Sequence, residues 1–158
     1  MQTFEDFGVD SRVLYDKTSI FSAYHEGFQE IKKEAKSDDI VILCHDDIEI
    51  ENTKEKFIEL LSYAQKDGVG FIGVAGIKEL HPTGVWWNRD YLSAGYGLGR
   101  VYHHDDKDPI YYGGFGPAVV MDGLFLAATV KTLDLIVTGK LYLNHIQQKD
   151  NLYSTILQ

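Results

Sequence analysis

A run of acidic residues interrupts an apolar stretch in the first third of the sequence. The apolar stretch is Ile40 to Cys44, and the run that follows it reads His45-Asp46-Asp47-Ile48-Glu49. Such a stretch is typical of a strand buried on both faces, and carboxylates at its carboxyl end would project into the crevice where open α/β sheets bind ligands. The acids are therefore candidates for ligand binding or catalysis. Because Asp is favoured in turns, the alternative that Asp46 and Asp47 only shape a turn stays open.

Another acidic residue, Asp122, lies inside a second apolar stretch, Pro117 to Ala128, and is followed by Gly123. A carboxylate that is buried needs a hydrogen-bonding or charged partner. Two roles therefore remain open for Asp122. One is a structural hydrogen bond to loop amides, and the other is contact with a ligand or with reacting atoms.

The composition limits the architecture and the classes of function. The chain has 158 residues, of which 44% are hydrophobic, so we expect one domain over residues 1–158. Its net charge of -9 argues against a nucleic-acid partner, although a phosphate-bearing ligand is possible if a metal ion bridges it to the acids. Cys44 is the only cysteine, which excludes an internal disulfide and a cysteine-based zinc site. With no transmembrane segment and no signal peptide in the sequence, the expected location is the cytoplasm.

Hydrophobic periodicity predicts the elements that must hold these acids in place. The predicted order is an amphipathic helix over 19–36, the strand after it, a second helix over 54–65 and a buried strand over 69–76. Thr18 or Ser19 is available as the N-cap of the first helix, and Asn52 with Glu55 resembles a capping box before the second. Two strands joined by a helix favour a parallel βαβ unit with a right-handed crossover.

Beyond Ile77 the helical period is lost. Short strands or hairpins are predicted around Val85 to Trp87 and Leu98 to His103, because a structureless loop of this length is rare in a compact domain. A short helix is predicted over 130–135. The spacing Gly95-x-Gly97-x-Gly99 neither follows a clear strand nor opens a helix, so it does not indicate a dinucleotide site.

Five segments follow one another in a recognisable order. They are Ser19-Ile20-Phe21-x-x-Tyr24, His45-Asp46-Asp47-Ile48-Glu49-Ile50, Gly73-Val74-Ala75-Gly76, Trp86-Trp87 and Met121-Asp122-Gly123-Leu124-Phe125-Leu126-Ala127. This succession resembles the family 2-like glycosyltransferases of the GT-A fold, in the bacterial and viral branch whose aspartate motif is written His-Asp-Asp. The resemblance implies an α/β fold, a GT-A-like three-layer sandwich with a mostly parallel central sheet. Because the residues before Ser19 are too few for the opening βαβ unit of that fold, we expect a version shortened at both ends.

The resemblance implies a metal-dependent glycosyltransferase. Such an enzyme moves a sugar from a nucleotide-sugar donor to a glycan or other hydroxyl acceptor, and Mn²⁺ or Mg²⁺ neutralises the departing diphosphate. Of the acids, the resemblance makes Asp47 the first candidate for metal ligand and Asp46 the second. His45 could order the acids or bind the metal, Glu49 would point to the same face as Asp47, and both are candidates for contact with the substrate.

The resemblance places the acceptor pocket at Asp122 and Gly123 and makes Asp122 a candidate catalytic base. The acidic motif that supplies the base in relatives has no convincing counterpart, since Leu133-Asp134-Leu135 is a poor match. Trp86 and Trp87 could stack on a sugar or a base, but neighbours on a strand face opposite ways, so at most one lines a given pocket. The alternative function is a non-catalytic carbohydrate-binding or assembly module on a degenerate GT-A core.

Overall fold

The computed structural model describes residues 4–102, 110–137 and 153–156, the last of these by its backbone alone. Within these ranges the chain is a mixed α/β fold with two sheets. The elements in chain order are α1 (Ile20–Ile31), β1 (Ile40–Cys44), α2 (Lys54–Ser62) with a 3₁₀ turn (Tyr63–Gln65), β2 (Val69–Gly73), β3 (Ala75–Ile77), α3 (Arg89–Ser93), β4 (Gly97–Val101), β5 (Ile110–Gly113), β6 (Gly116–Ala118), β7 (Val120–Met121), β8 (Phe125–Thr129), α4 (Val130–Val137) and β9 (Tyr153–Ile156).

The sheets are largely antiparallel. The first sheet has the strand order β1-β8-β2-β9-β6, and the second has the order β5-β4-β3-β7. Among the described strands, β2 with β9 is the only parallel pair. The predicted mostly parallel central sheet is therefore wrong, because apolar stretches report burial and not the direction of the neighbouring strand. β1 and β2 do run in the same direction, since each pairs antiparallel with β8, which lies between them.

β1, the strand that precedes the acidic run, is at one edge of the first sheet. It pairs residue by residue with β8, from Ile40 opposite Thr129 to Cys44 opposite Phe125. Val41 is buried, whereas the other residues of β1 are half-buried. The prediction of a strand buried on both faces is confirmed only in part. In the described part of the chain β1 has a neighbouring strand on one side only, so its other edge is open. This open side forms a wall of the groove described below.

Helices cover both faces of the first sheet. On one face, Phe57 and Leu61 of α2 pack with Ile72 and Ala127. On the other face, Phe28 of α1 and Leu133 of α4 pack with Val41 and Ala128. Because neighbouring residues of β8 point to opposite faces, Ala127 and Ala128 enter the two different clusters. None of the described helices combines the length and the apolar composition needed to cross a membrane.

The apolar stretch 69–76, predicted as one strand, is divided at Val74 into β2 and β3, which belong to different sheets. The Val74 carbonyl accepts a hydrogen bond from the Arg100 amide at 3.1 Å. Gly99 has φ +90° and packs directly against the same carbonyl. The chain therefore passes from the first sheet to the second at a point where β4 lies in close backbone contact.

Several local predictions can be compared with the structure. Ser19 is the N-cap of α1, as predicted, but α1 ends at Ile31, before the predicted boundary. The N-cap of α2 is Thr53, so the predicted capping box at Asn52 is wrong. The short helix predicted from position 130 is confirmed as α4.

Two strands were predicted in the middle of the chain. Trp86 and Trp87 lie in a turn before α3, so the strand predicted over 85–87 is wrong. β4 confirms the strand predicted from Leu98, and His103, its predicted last residue, lies outside the described residues.

Replacing Ser19 with alanine is expected to lower the free energy of unfolding by about 1 kcal/mol. The Ser19 hydroxyl accepts a hydrogen bond from the Ser22 amide at 3.1 Å, and the Ser22 hydroxyl accepts one from the Ser19 amide at 3.3 Å. The substitution removes the first of these bonds and leaves an amide of the first turn without its acceptor. Urea titration would measure the change, with Ser37→Ala in an exposed turn as the control. An equal loss of stability in both variants would contradict the capping role.

Candidate functional site

The carboxyl end of β1 and the turn before β8 lie side by side. Cys44 is opposite Phe125 at the end of the paired strands, and the His45 amide then donates to the Leu124 carbonyl at 3.1 Å. The antiparallel pairing therefore brings the two acidic segments singled out in the sequence to the same end of the first sheet.

Hydrogen bonds from several directions fix the turn that carries Asp122. Within the turn, Asp122 Oδ1 accepts from the Leu124 amide at 2.8 Å. The Asp122 amide donates to the Ala75 carbonyl of β3 at 2.9 Å. From the helix layer, the Tyr24 hydroxyl donates to the Gly123 carbonyl at 3.0 Å. Asp122 thus makes the structural hydrogen bond to a loop amide that was one of its two predicted roles, and its catalytic role stays a prediction.

An open groove of about 1190 Å³ lies against β1. Its walls are the segment 4–14, one side of α1, and β1 with the loop that follows it. His45, Asp46 and Glu49 line the groove at the carboxyl end of β1, and Asp47 is not part of the lining, although all four residues are exposed. The acidic run therefore borders a concavity, with Asp46 on its wall.

The carboxylates of the acidic run fit a metal ion that takes its remaining ligands from phosphate and water. Among the described residues, no group of three or more His, Cys, Asp or Glu side chains is placed to hold a metal ion. Asp46 and Asp47 offer carboxylate oxygens, which suit Mg²⁺ or Mn²⁺. Mg²⁺ is commonly bound through one or two carboxylates, with phosphates and water completing its shell. The two aspartates match that pattern and do not match a metal site built from protein ligands alone.

Burial and negative charge shift three pKa values beside the acidic segments. Burial, together with the neighbouring Cys44 thiol and Asp122 carboxylate, raises the pKa of Tyr24 to about 12. Burial and the Asp46 carboxylate raise the pKa of Cys44 to about 11. Burial and the Asp122 carboxylate raise the pKa of Tyr112. These hydroxyl and thiol groups are therefore neutral near pH 7, and the two tyrosines keep the protons that they can donate.

The two tryptophans have different surroundings. Trp86 is 8% exposed, and its ring contacts that of Tyr112 at a centroid distance of 5.4 Å. Trp87 is 61% exposed and meets Trp86 edge to face at 5.9 Å. Trp86 is therefore a core residue, and Trp87 is the member of the pair that can stack on a ligand. Val120, two residues before Asp122, packs with Tyr112 against the cluster that contains Trp86, so this aromatic cluster extends toward the Asp122 turn.

Sequence reasoning missed Tyr24 and Tyr112 as residues of this region. Tyr24 was placed on the apolar stripe of α1, where its hydroxyl was the available signal, because a buried tyrosine hydroxyl usually has a hydrogen-bond partner. Tyr112 gave no such signal, since its position depends on the pairing of β4 with β5.

Comparison with known proteins decides the family. A family model described as "Glycosyltransferase like family" matches residues 1–131. The chain belongs to this glycosyltransferase-like family. No curated protein and no solved structure gives a match. The matched residues of this glycosyltransferase-like chain include both acidic segments and every residue that lines the groove. Membership supports a glycosyltransferase function in general terms, with a sugar donor and an acceptor as partners.

Proposed function

We propose that this chain is a metal-dependent glycosyltransferase with a GT-A-like fold, which transfers a sugar from a nucleotide-sugar donor to a glycan or another hydroxyl acceptor. One observation carries the proposal. The groove along β1 reaches the acidic loop after that strand, and the His45–Leu124 hydrogen bond joins this loop to the Asp122 turn, whose residues do not themselves line the groove. Family membership indicates the reaction class, and this arrangement indicates where in the structure the reaction would take place.

The groove is proposed as the donor site. Its volume of about 1190 Å³ exceeds the usual range of small-ligand pockets, so a nucleotide sugar would fit. The half-buried Ile42 and Leu43 offer apolar contacts for the nucleotide, and Asp46 at the carboxyl end of β1 marks the place of the diphosphate. A diphosphate and a carboxylate repel each other, so a cation between them is needed for binding.

Asp46 and Asp47 are proposed to hold that cation. A bound Mn²⁺ or Mg²⁺ would act there as a Lewis acid that stabilises the charge on the departing diphosphate. The chain contributes by fixing the loop, since the His45 amide is bound to the Leu124 carbonyl. Glu49 and His45, which also line the groove, are proposed to contact the donor.

The Asp122 turn is proposed as the acceptor side. A Cβ built at Gly123 meets no atom within 4 Å, so the backbone there borders open space. Asp122 would take the proton of the acceptor hydroxyl, with its carboxylate oriented by the Leu124 amide. Trp87 would offer its exposed ring to a sugar of the acceptor.

The proposal is tested by incubating the protein with UDP-, GDP- and CMP-linked sugars and measuring release of the nucleotide. We expect release from at least one donor in Mn²⁺, its loss in EDTA, and an increase on adding a glycan acceptor. EDTA followed by excess Mn²⁺ is the control for irreversible damage. If no nucleotide sugar is turned over and no nucleotide binds in Mn²⁺, the transferase proposal is wrong.

A second candidate, a non-catalytic carbohydrate-binding module, is favoured by one observation. Trp87 is 61% exposed, and a fixed aromatic face can hold a sugar without a metal ion. The same samples separate the two functions. Glycan binding that persists in EDTA, in a protein that binds no nucleotide, would favour the binding module.

A further inference from the structure

Tyr24 joins the two halves of the proposed site. Its side chain lines the groove beside β1, and its hydroxyl donates to the Gly123 carbonyl at 3.0 Å. We propose that Tyr24 is a positioning residue that couples occupancy of the groove to the placement of the Asp122 turn. This inference rests on the proposed function, since it takes the groove as the donor site and the turn as the acceptor side.

The other bonds that hold the turn to its neighbours are made by backbone amides. The Asp122 amide is bound to the Ala75 carbonyl of β3, and the Leu124 carbonyl accepts from the His45 amide. Both are backbone bonds at strand ends, so a side-chain substitution leaves them in place, including the bond of His45, which also lines the groove. The Tyr24 bond comes from a side chain of α1, so a ligand against the ring acts directly on the Gly123 carbonyl.

The surroundings of Tyr24 keep its hydroxyl a donor. Burial is the main cause that raises its pKa to about 12, and the neighbouring Cys44 thiol and Asp122 carboxylate add to it. A raised pKa for an acid means that the proton stays on, so the bond to the Gly123 carbonyl persists throughout the neutral range. The link between groove and turn is therefore independent of pH under ordinary assay conditions.

The hydrogen bond from Tyr24 should affect transfer of the sugar and hydrolysis of the donor to different extents. Transfer requires Asp122 within hydrogen-bonding reach of one particular acceptor hydroxyl, whereas water can approach the donor from several directions. Loss of the Tyr24 bond would loosen the turn without changing the donor contacts. Transfer should therefore suffer more than hydrolysis of the donor.

Tyr24→Phe keeps the ring in the groove wall and removes the hydroxyl. We expect kcat for transfer to fall about tenfold, while KM for the donor changes by less than about twofold and hydrolysis is nearly unchanged. Tyr15→Phe is the matched control, since Tyr15 is 74% exposed. A Tyr24→Phe variant with wild-type transfer, or with equal losses in transfer and hydrolysis, would overturn the inference.

Hydrogen exchange gives a readout that does not require activity. In free Tyr24→Phe, exchange of the Leu124 amide should be about tenfold faster than in wild type, with the Ala127 amide of β8 unchanged. UDP with Mn²⁺ should slow Leu124 exchange in wild type but not in the variant. Equal exchange at Leu124 in both proteins overturns the role of Tyr24. A wild-type protein that binds none of UDP, GDP and CMP in Mn²⁺ overturns the proposed function and the coupling, whereas the free-protein comparison would still show whether Tyr24 holds the turn.

Discussion

Replacing Asp46 and Asp47 together with asparagine is expected to remove the effect of Mn²⁺ on UDP binding. Asparagine keeps the size of aspartate and its tendency to form turns, so the loop should stay folded while the charge that holds the cation is lost. Loss of a residue that only orients a metal ligand already costs about 10–100-fold in metal affinity. Loss of both proposed ligands should therefore weaken UDP binding in Mn²⁺ by at least about a hundredfold.

Calorimetric titration with UDP, in Mn²⁺ and in EDTA, would measure this effect. The matched control is the double variant Asp38→Asn and Asp67→Asn, which makes the same change of charge. Both control residues are exposed and line a separate, smaller cavity that contains no residue of the acidic run. If UDP binding depends on Mn²⁺ as strongly in the Asp46 and Asp47 double variant as in the wild type, these acids do not hold the metal.

The single variants of the same two residues would rank the proposed ligands. The resemblance drawn from the sequence favours Asp47, whereas the structure places Asp46 on the wall of the groove and within electrostatic reach of Cys44. These observations concern different properties, since a motif reports residue type and order while the groove reports position. The larger loss of Mn²⁺ dependence identifies the principal ligand.

The local elements around the site could be predicted because their signals are local. The apolar stripe of α1 and the N-cap Ser19 lie within a few residues of each other, and β1 follows from a run of aliphatic residues. The partner of β1 could not be predicted in this way. β8 lies far along the sequence, and nothing in either stretch specifies the antiparallel direction of the pair.

The division of the stretch 69–76 has a similar explanation. The residues on both sides of Val74 are apolar or glycine, so periodicity gives no sign of a boundary. The boundary exists because β2 pairs with β8 while β3 pairs with β4 and β7. Pairings between distant strands decide such a boundary, and they are absent from a local pattern.

The acids of the candidate site were proposed from the sequence, whereas the contacts that hold them could not be. Asp46 and Asp122 each interrupt an apolar stretch, which is an unusual position for a charge. The hydrogen bond from Tyr24 to Gly123 joins residues 99 positions apart, so no spacing rule could find it. Residue types are thus visible in the sequence, whereas the hydrogen bonds that hold the acids in place depend on the completed fold.

Gly99→Ala is expected to cause a severe loss of stability. Gly99 has φ +90°, and a Cβ there would lie 1.9 Å from the Val74 carbonyl oxygen and 2.9 Å from the Ala75 Cα. Both neighbours are backbone atoms, so no side chain can rotate away, and β3 must separate from β4, where Ala75 is opposite Gly99. We expect a loss of about 4–5 kcal/mol or more, close to the whole stability of many small domains. The variant should be largely unfolded, as measured by circular dichroism and urea titration.

Two further glycines separate the causes of that loss. Gly95 also has a positive φ, +84°, but a Cβ there meets nothing within 4 Å, so Gly95→Ala tests backbone strain alone. Gly114 has neither a positive φ nor a neighbour within 4 Å, and Gly114→Ala should be nearly neutral. We expect Gly95→Ala to cost about 1–2 kcal/mol, well below the loss at Gly99. A Gly99→Ala variant no less stable than Gly95→Ala would mean that the contact of β4 with Val74 does not hold the two sheets together.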